Sequence, residues 1–567
     1  MEDITLDAEQ ARVASEPVGS CLLVLAGPGA GKSQVVAERC RQLVDDGTYP
    51  DEILAVSFSN AAVDVLRDRT EEASDTGDRV DVTTLDALAA RIRLEFEPSD
   101  PIFTGYEASI VRATELVLEG GQTPLDDVRH VIVDEAQDVV GVRADFVLAI
   151  LGRVRENNAG FTVLGDPMQG IYDFQRRDAD THIGLVELLR KKLAPDEVSL
   201  AGEYRSKTPD ARRVSSLRSD LTHLSPSACL SRLREVVDDL APLGQLDEDA
   251  VATIRRWPGT TAFLCDTNAR AGLVVDALWG LGMGAERAAS RAEAALAPWL
   301  ARVLEDDPGP SMSFTDFETA ASVYGIDDIP GKWRAMMRSA GSRRFLDKRS
   351  LAVGLSQRRC PPELLRSPES SVVVSTVHRA KGLEFDNVVL VDPGDWYEED
   401  NGEDAASKRL FVALSRSRSH LTTVRGVDTR GWAKRNGSAW LLRGFRGGTR
   451  AVLMEPQWCR ELGPCSTDLR SAVGREVEWR RGEDLTSVDG GTVPSWDATV
   501  DGVPIARTSE VFGSVVRQLS RSKVPALRGA RVEGTESVLG QAQQAGRGVH
   551  GLWVGARVGG PVAFEWR

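Results

Sequence analysis

The chain has 567 residues, 42 % of them hydrophobic, a mean hydropathy of −0.22 and a formal net charge of −16. That length exceeds what one core fills and predicts several domains; without an apolar run of spanning length or a basic and apolar leader, the reading is a cytoplasmic protein with no membrane partner. Seven cysteines, odd in number and without Cys-x-x-Cys spacing, exclude a disulfide framework and a zinc site.

In chain order, Leu22-Leu23-Val24-Leu25 predicts a buried strand that runs through Ala26-Gly27-Pro28-Gly29-Ala30-Gly31 into Lys32-Ser33 and a helix. Glycines at these positions let backbone N–H groups turn around phosphate oxygens, and the helix points its positive end at them. Lys32 suits the β and γ phosphates of a nucleoside triphosphate, and the Ser33 hydroxyl suits Mg²⁺. Ala26 stands where the strict pattern has its first glycine. Leu54-Ala55-Val56-Ser57-Phe58-Ser59-Asn60 is a second strand opening onto a helix, and Thr84-Leu85-Asp86 follows. Val131-Ile132-Val133-Asp134-Glu135 places two carboxylates at the end of a β-branched run, where an open parallel sheet binds ligands. Asp134 is the candidate Mg²⁺ ligand and Glu135 the candidate base for the attacking water.

Four further segments complete an ordered set. Phe161-Thr162-Val163-Leu164-Gly165-Asp166-Pro167-Met168-Gln169 leads to Tyr172 and Phe174, and Glu203-Tyr204-Arg205 puts an arginine beside an aromatic. Val372-Val373-Val374-Ser375-Thr376-Val377-His378-Arg379-Ala380-Lys381-Gly382-Leu383-Glu384 and Lys408-Arg409-Leu410-Phe411-Val412-Ala413-Leu414-Ser415-Arg416-Ser417-Arg418 close it.

Together, from Leu6 to about Val424, these segments resemble the ordered motifs of superfamily 1 DNA helicases of the UvrD/Rep/PcrA type. The resemblance implies two RecA-like P-loop lobes and an ATP-dependent, 3′-to-5′ translocase and helicase in DNA repair, replication or defence. It implies that Gln10 reads the adenine edge, that Tyr204 stacks on the base, and that Glu384 binds the nucleotide from the far side of the cleft. Gln169 corresponds to the γ-phosphate sensor, and Arg205 and Arg416 to the arginines that reach the phosphate from the second core. Phe58, Tyr172 and Phe174 correspond to aromatics on which single-stranded bases stack, and Asn60, Thr376 and His378 to polar strand contacts. For Phe58 or Phe174 taken singly, core packing is the competing reading. Asp86 replaces a histidine of the family pattern, Phe174-Gln175 replaces Trp-Arg, and Ser415 replaces threonine. The implied partners are single-stranded DNA and single-strand/duplex junctions.

The predicted organisation is an α/β core over 1–195, a second core split between 196–290 and 371–425, a reduced helical insertion over 291–370, and a β-rich accessory domain over 426–567. Residues 421–567 carry 21 Lys and Arg against 15 Asp and Glu, in a chain otherwise acidic. Seven of the twelve tryptophans lie beyond 425. They read either as core or as a surface for a protein partner or nucleic acid. The alternative to an autonomous motor is an ATP-gated DNA-binding or scaffold subunit.

Overall fold

A computed structural model describes every residue except 1–5, 58–62, 64–65, 67–79, 98–105, 121–122, 172–183, 289–294, 308, 358–359, 398–401, 436–438, 444–448, 461, 464–467, 520–522, 541–550 and 567. It divides into two compact units, one comprising Met1–Leu240, Lys381–Asp386 and Gly394–Leu421, the other Ala241–Ala380, Asn387–Pro393 and Thr422–Arg567.

The first unit is built on a six-stranded parallel sheet of β1 (Cys21–Ala26), β2 (Ile53–Ser57), β3 (Asp81–Thr84), β4 (His130–Asp134), β5 (Gly160–Gly165) and β6 (Asp196–Leu200), in the order β3-β2-β4-β5-β1-β6. Alternate residues of each strand leave on opposite faces, so a sheet covered on both sides needs the near-continuous apolar runs seen here. Leu22 and Val24 join Val35, Val36 and Leu43 of the helix Lys32–Asp45. Leu23 joins Phe146, Ile150 and Leu151 of the helix Val142–Glu156 on the other face. Each such side chain contributes about 1.5–3 kcal/mol on burial. Parallel pairing brings every carboxyl end to one edge, with Leu25 opposite Gly165 and Ser57 opposite Asp134.

Two sequence boundaries shift. The first sheet continues past residue 195, because β6 pairs with β1. Only Val198 and Leu200 of this edge strand are buried, which leaves a weak apolar signal. The compact first unit also takes in residues 196–240 and most of the segment carrying Glu384 and Arg416, so the division between units does not follow the division into two cores.

A second sheet, ordered β7-β14-β13-β8-β12-β9, is formed from β7 (Pro242–Gln245), β8 (Thr261–Cys265), β9 (Glu286–Arg287), β12 (Val372–Thr376), β13 (Phe385–Val391) and β14 (Ser417–Arg425); the second unit holds β7, β8, β9 and β12 in full, β13 from Asn387 and β14 from Thr422. Between β9 and β12 the chain forms the helices Pro298–Asp306, Phe314–Val323, Ile329–Ala340 and Lys348–Ser356, with a small antiparallel pair, β10 (Ser311–Met312) and β11 (Leu346–Asp347). Leu304, Phe317, Met336 and Leu351 fill their core.

Beyond residue 426 the structure is antiparallel. One sheet combines Trp432–Arg435, Ala439–Arg443, Thr449–Met454, Leu552–Glu565 and Ala526–Leu539, and a second combines Cys459–Arg460, Val503–Thr508, Trp496–Val500 and Glu478–Arg481. Trp458, Trp496 and Trp553 are buried, while Trp479 and Trp566 donate their indole N–H to backbone carbonyls of Gly529 and Thr449. Trp458, Trp496 and Trp553 are core residues and Trp479 and Trp566 pack half-buried against that core, so none of the five is by itself evidence for a partner surface.

Nor is this region a detachable appendage. Leu552 and Leu539 belong to the core of the helical insertion, and Ser537 Oγ donates to the Ala297 carbonyl at 2.6 Å. A Cβ at Gly272, on the helix Asn268–Gly280 of the second core, would meet the Leu453 side chain at 2.6 Å. A chain ending at Arg425 is therefore expected to aggregate or to lose its cooperative melt, because it exposes these apolar faces. A soluble truncation melting within a few degrees of the full chain would refute this.

Candidate nucleotide site

The phosphate loop leaves β1 at its carboxyl end, between β5 and β6. Gly29 and Gly31 both take φ of 75°, a left-handed conformation that a side chain resists. A Cβ at Gly29 would lie 2.5 Å from Glu203 Oε1, and one at Gly31 would lie 2.6 Å from Gln10 Nε2. The glycines thus serve both the turn and the close seating of neighbours. Lys32 Nζ donates to the carbonyls of Ala26 at 3.1 Å and Gly27 at 3.2 Å.

Asp134 ends β4 in a buried position and its Oδ1 accepts the Glu135 N–H at 2.9 Å. Burial and the adjacent Glu135 carboxylate push Asp134 above the usual carboxylate range, against the pull of Lys32. Glu135 is held in the left-handed region at φ 55°, ψ 42°, a strain of about 1–2 kcal/mol that fixes where its carboxylate points. Burial acts to raise Glu135, but Lys32, Lys381, the Gln137 amide and Arg416 outweigh it and keep the group ionised below its ordinary range.

A chain of side chains then runs from the acids to the arginines. Gln137 Oε1 accepts the Asp166 N–H at 2.9 Å, and the fully buried Asp166 accepts Arg218 Nε at 3.0 Å and Gln169 Nε2 at 2.9 Å. Gln169 Oε1 accepts Arg416 Nη2 at 3.2 Å. Arg416 is buried and also donates to the carbonyls of Val412 at 2.9 Å and Leu383 at 3.3 Å. Burial and Arg205 bring its pKa down to about 10, so it stays a cation at neutral pH. Arg205 donates to Glu384 Oε1 at 2.8 Å and to the Ser415 carbonyl at 2.6 Å, and Arg418 holds the other Glu384 oxygen at 2.8 Å. Burial acts to raise Glu384, but these two guanidinium groups hold it below its ordinary range.

Residues from Gly27 to Ser33 line one open cavity of about 440 Å³ together with Glu135, Gln169, Tyr204, Arg205, Glu384 and Arg416. Every residue of that lining lies in the first unit. Ala26, Gln10 and Asp134 are not among its lining residues. The Gln10 carboxamide is occupied by the loop itself, donating to the Ala30 carbonyl at 3.0 Å and accepting the Asp7 N–H at 3.0 Å. Thr376 ends β12 and is buried, and His378 lies half-buried in the short helix Val377–Ala380; both belong to the second unit. Phe58, Asn60, Tyr172 and Phe174 lie outside the described residues.

Some residues gained a role only in three dimensions. Lys381 and Asp138 form a buried ion pair, and Lys381 also donates to the Gln169 carbonyl. Removing one partner of such a pair costs about 3–5 kcal/mol. Their signal was present in the sequence as a third acid after Asp134-Glu135 and a lysine before Gly382, but nothing local paired them. Asp86, the departure from the histidine pattern, accepts Arg143 Nη2 at 2.7 Å beside the Thr84 cap of the helix Leu85–Phe96, which gives the acid a structural role.

Ser33 and Asp134 supply the hydroxyl and carboxylate oxygens that suit a hard divalent cation, and the glycine cradle suits a polyphosphate. Among the described residues no cluster of His, Cys, Asp and Glu forms a separate metal site. None of their helices is long and apolar enough to cross a membrane.

The fold and site define a P-loop nucleotide-binding α/β protein in which arginines distant in sequence meet the phosphate loop. Residues 9–175 match the family model described as AAA domain, and residues 371–424 match that of the UvrD-like helicase C-terminal domain. A segment of 74 residues is 39 % identical to the ATP-dependent DNA helicase PcrA of Leuconostoc citreum, covering 12 % of this chain and 10 % of that protein. In these stretches the chain is similar to superfamily 1 helicases of the UvrD/PcrA type. Solved structures similar over most of this chain include Pif1 helicase from Bacteroides in complex with ADP-AlF3 and ssDNA (14 % identity, 75 % of this chain, 94 % of that one, TM-score 0.36). Pif1 helicase from Candida albicans gives 14 %, 74 %, 95 % and 0.38. Scores this low carry no functional argument.

Proposed function

We propose that the chain is an ATP-hydrolysing motor on single-stranded DNA, a cytoplasmic translocase and helicase moving 3′-to-5′. The observation that carries this reading is the convergence of the phosphate loop, Glu135, Gln169, Arg205 and Arg416 on one cavity. Lys32 and the loop amides would bind the β and γ phosphates, and Glu135, kept ionised, would take a proton from the attacking water. Arg205 and Arg416 would neutralise charge on the transferring phosphoryl group. Mg²⁺ held by Ser33 and Asp134 would shield the phosphate oxygens. Gln169 touches both Asp166 and Arg416, so it is placed to pass a change at the γ phosphate to the segment that carries Arg416.

DNA as the partner is supported by the UvrD/PcrA likeness and by charge. Residues 331–360 hold nine Lys and Arg against one Asp, in a chain of net charge −16. Arg334, Arg343, Arg344 and Arg349 are exposed there, and Arg344 lies over the exposed Phe345 ring. Arg343→Glu with Arg344→Glu is expected to weaken binding to tailed duplexes and to flatten the salt dependence, by a slope of about one per lost phosphate contact. Alanine at Phe58, Tyr172 and Phe174 should instead weaken single-strand binding by about 1–3 kcal/mol per lost base stack without changing that slope. Affinities over a salt series check both, and identical slopes for parent and charge-reversed chains would remove the arginines from the interface.

The deciding experiment measures ATP hydrolysis with and without single-stranded DNA, then strand displacement on duplexes bearing 3′ or 5′ tails. Stimulated hydrolysis with 3′-tail displacement supports the motor. DNA binding with no hydrolysis under any condition would favour an ATP-gated scaffold subunit, whose protein partner would be sought through 426–567. Displacement confined to 5′ tails would reverse the direction.

A further inference from the structure

Tyr204 is 57 % exposed at the mouth of the phosphate cavity, yet three contacts fix it. Its backbone N–H donates to the Gly29 carbonyl at 3.0 Å. Its hydroxyl donates to an Asp7 carboxylate oxygen, a bond that raises the phenol to about 12. One part of the ring lies on Gly202, where a Cβ would come within 2.5 Å of Cε2 and of the hydroxyl oxygen. Any side chain at 202 would therefore displace the ring.

Asp7 is no free surface acid. As N-cap of the helix Ala8–Ser15 it accepts the Gln10 N–H on Oδ1 at 2.7 Å, while its own N–H goes to Gln10 Oε1, and this box leaves Oδ2 for the Tyr204 hydroxyl. Gln10 closes the circuit by donating to the Ala30 carbonyl. Glu9, on the same turn, accepts the Ala201 N–H at 2.9 Å, which anchors the strand end leading into Gly202. The helix start, the phosphate loop and the ring are thus tied to one another, and a large part of the ring stays open.

We infer that Asp7 and Gly202 are positioning residues that hold the Tyr204 ring ready as a platform for the nucleobase, and so set affinity through the base and not through the phosphates. This rests on the nucleotide reading above. An exposed tyrosine without these ties samples several rotamers, and binding would have to restrict it; a ring fixed beforehand avoids that loss.

The test uses the full chain and two probes, a non-hydrolysable ATP analogue and inorganic tripolyphosphate, which shares the phosphates and lacks the base. Tyr204→Phe removes only the hydroxyl, Asp7→Ala removes tether and cap, Gly202→Ala unseats the ring, and Asp7→Asn retains a cap and a hydrogen-bonding partner for the phenol. The first three variants are expected to bind the analogue about 3–10-fold more weakly and to raise KM for ATP equally, as for loss of one hydrogen bond's worth of ordering. Their tripolyphosphate affinity should stay at the parental value, and Asp7→Asn should recover most of the loss. Tyr204→Phe binding the analogue like the parent, or all three variants losing tripolyphosphate to the same degree, would overturn the assignment. A parent chain that binds neither probe would instead overturn the nucleotide reading itself.

Discussion

Arg416→Ala should lower DNA-stimulated ATP hydrolysis by about 10³–10⁵-fold, the range for removing an arginine that neutralises a transferring phosphoryl group. The side chain also bonds the Val412 and Leu383 carbonyls and Gln169, so its removal leaves buried acceptors unpaired at about 1–3 kcal/mol each. Loss of activity must therefore be separated from loss of fold. Arg416→Lys keeps the charge but cannot reproduce the planar fork that reaches four acceptors, and it should hydrolyse ATP far more slowly than the parent while keeping most of its melting temperature. Turnover measured beside a thermal melt decides this. A decrease under about threefold for a folded Arg416→Ala protein would place the arginine outside the chemistry.

Glu135→Gln should retain nucleotide binding and lose about 10²–10⁴-fold in turnover, the usual contribution of a positioned base. Glutamine matches the shape of Glu135 and can accept the Gln137 amide, so the loop should keep its geometry. Lys32→Ala should fail differently, because it removes a phosphate contact present before and during the reaction, and its nucleotide affinity should fall as well. Nucleotide titrations and steady-state rates separate the two patterns. Undiminished turnover by Glu135→Gln would assign the water-activating role elsewhere.

The cavity between the phosphate loop and the arginines is a property of one compact unit in this structure. Arg205, Glu384 and Arg416 lie with the loop inside it, joined through Gln169, Asp166 and the Lys381–Asp138 pair. A motor stroke that parts the arginines from the loop must then break a buried ion pair and at least one bond to Gln169. Under the proposed ATP-driven reading, gain or loss of the γ phosphate would drive that exchange.

By itself the sequence determined what depends on neighbours along the chain. The strand, glycine loop and helix at Leu22–Ser33 and the acid pair closing a β-branched run are local patterns, and each folded as read. Local signals fail where an element is held by partners far away in sequence. β6 carries only two buried side chains, so its membership of the first sheet rests on pairing with β1. Arg205 meets Glu384 across 179 residues and Lys381 meets Asp138 across 243, and no periodicity encodes such pairings. Tryptophan counts beyond 425 gave no means of telling core from surface, because only packing decides which face an aromatic occupies. The tether from Asp7 to Tyr204 was hidden for the same reason: an N-cap acid and an exposed tyrosine are each ordinary in sequence, and folding alone brings them into contact.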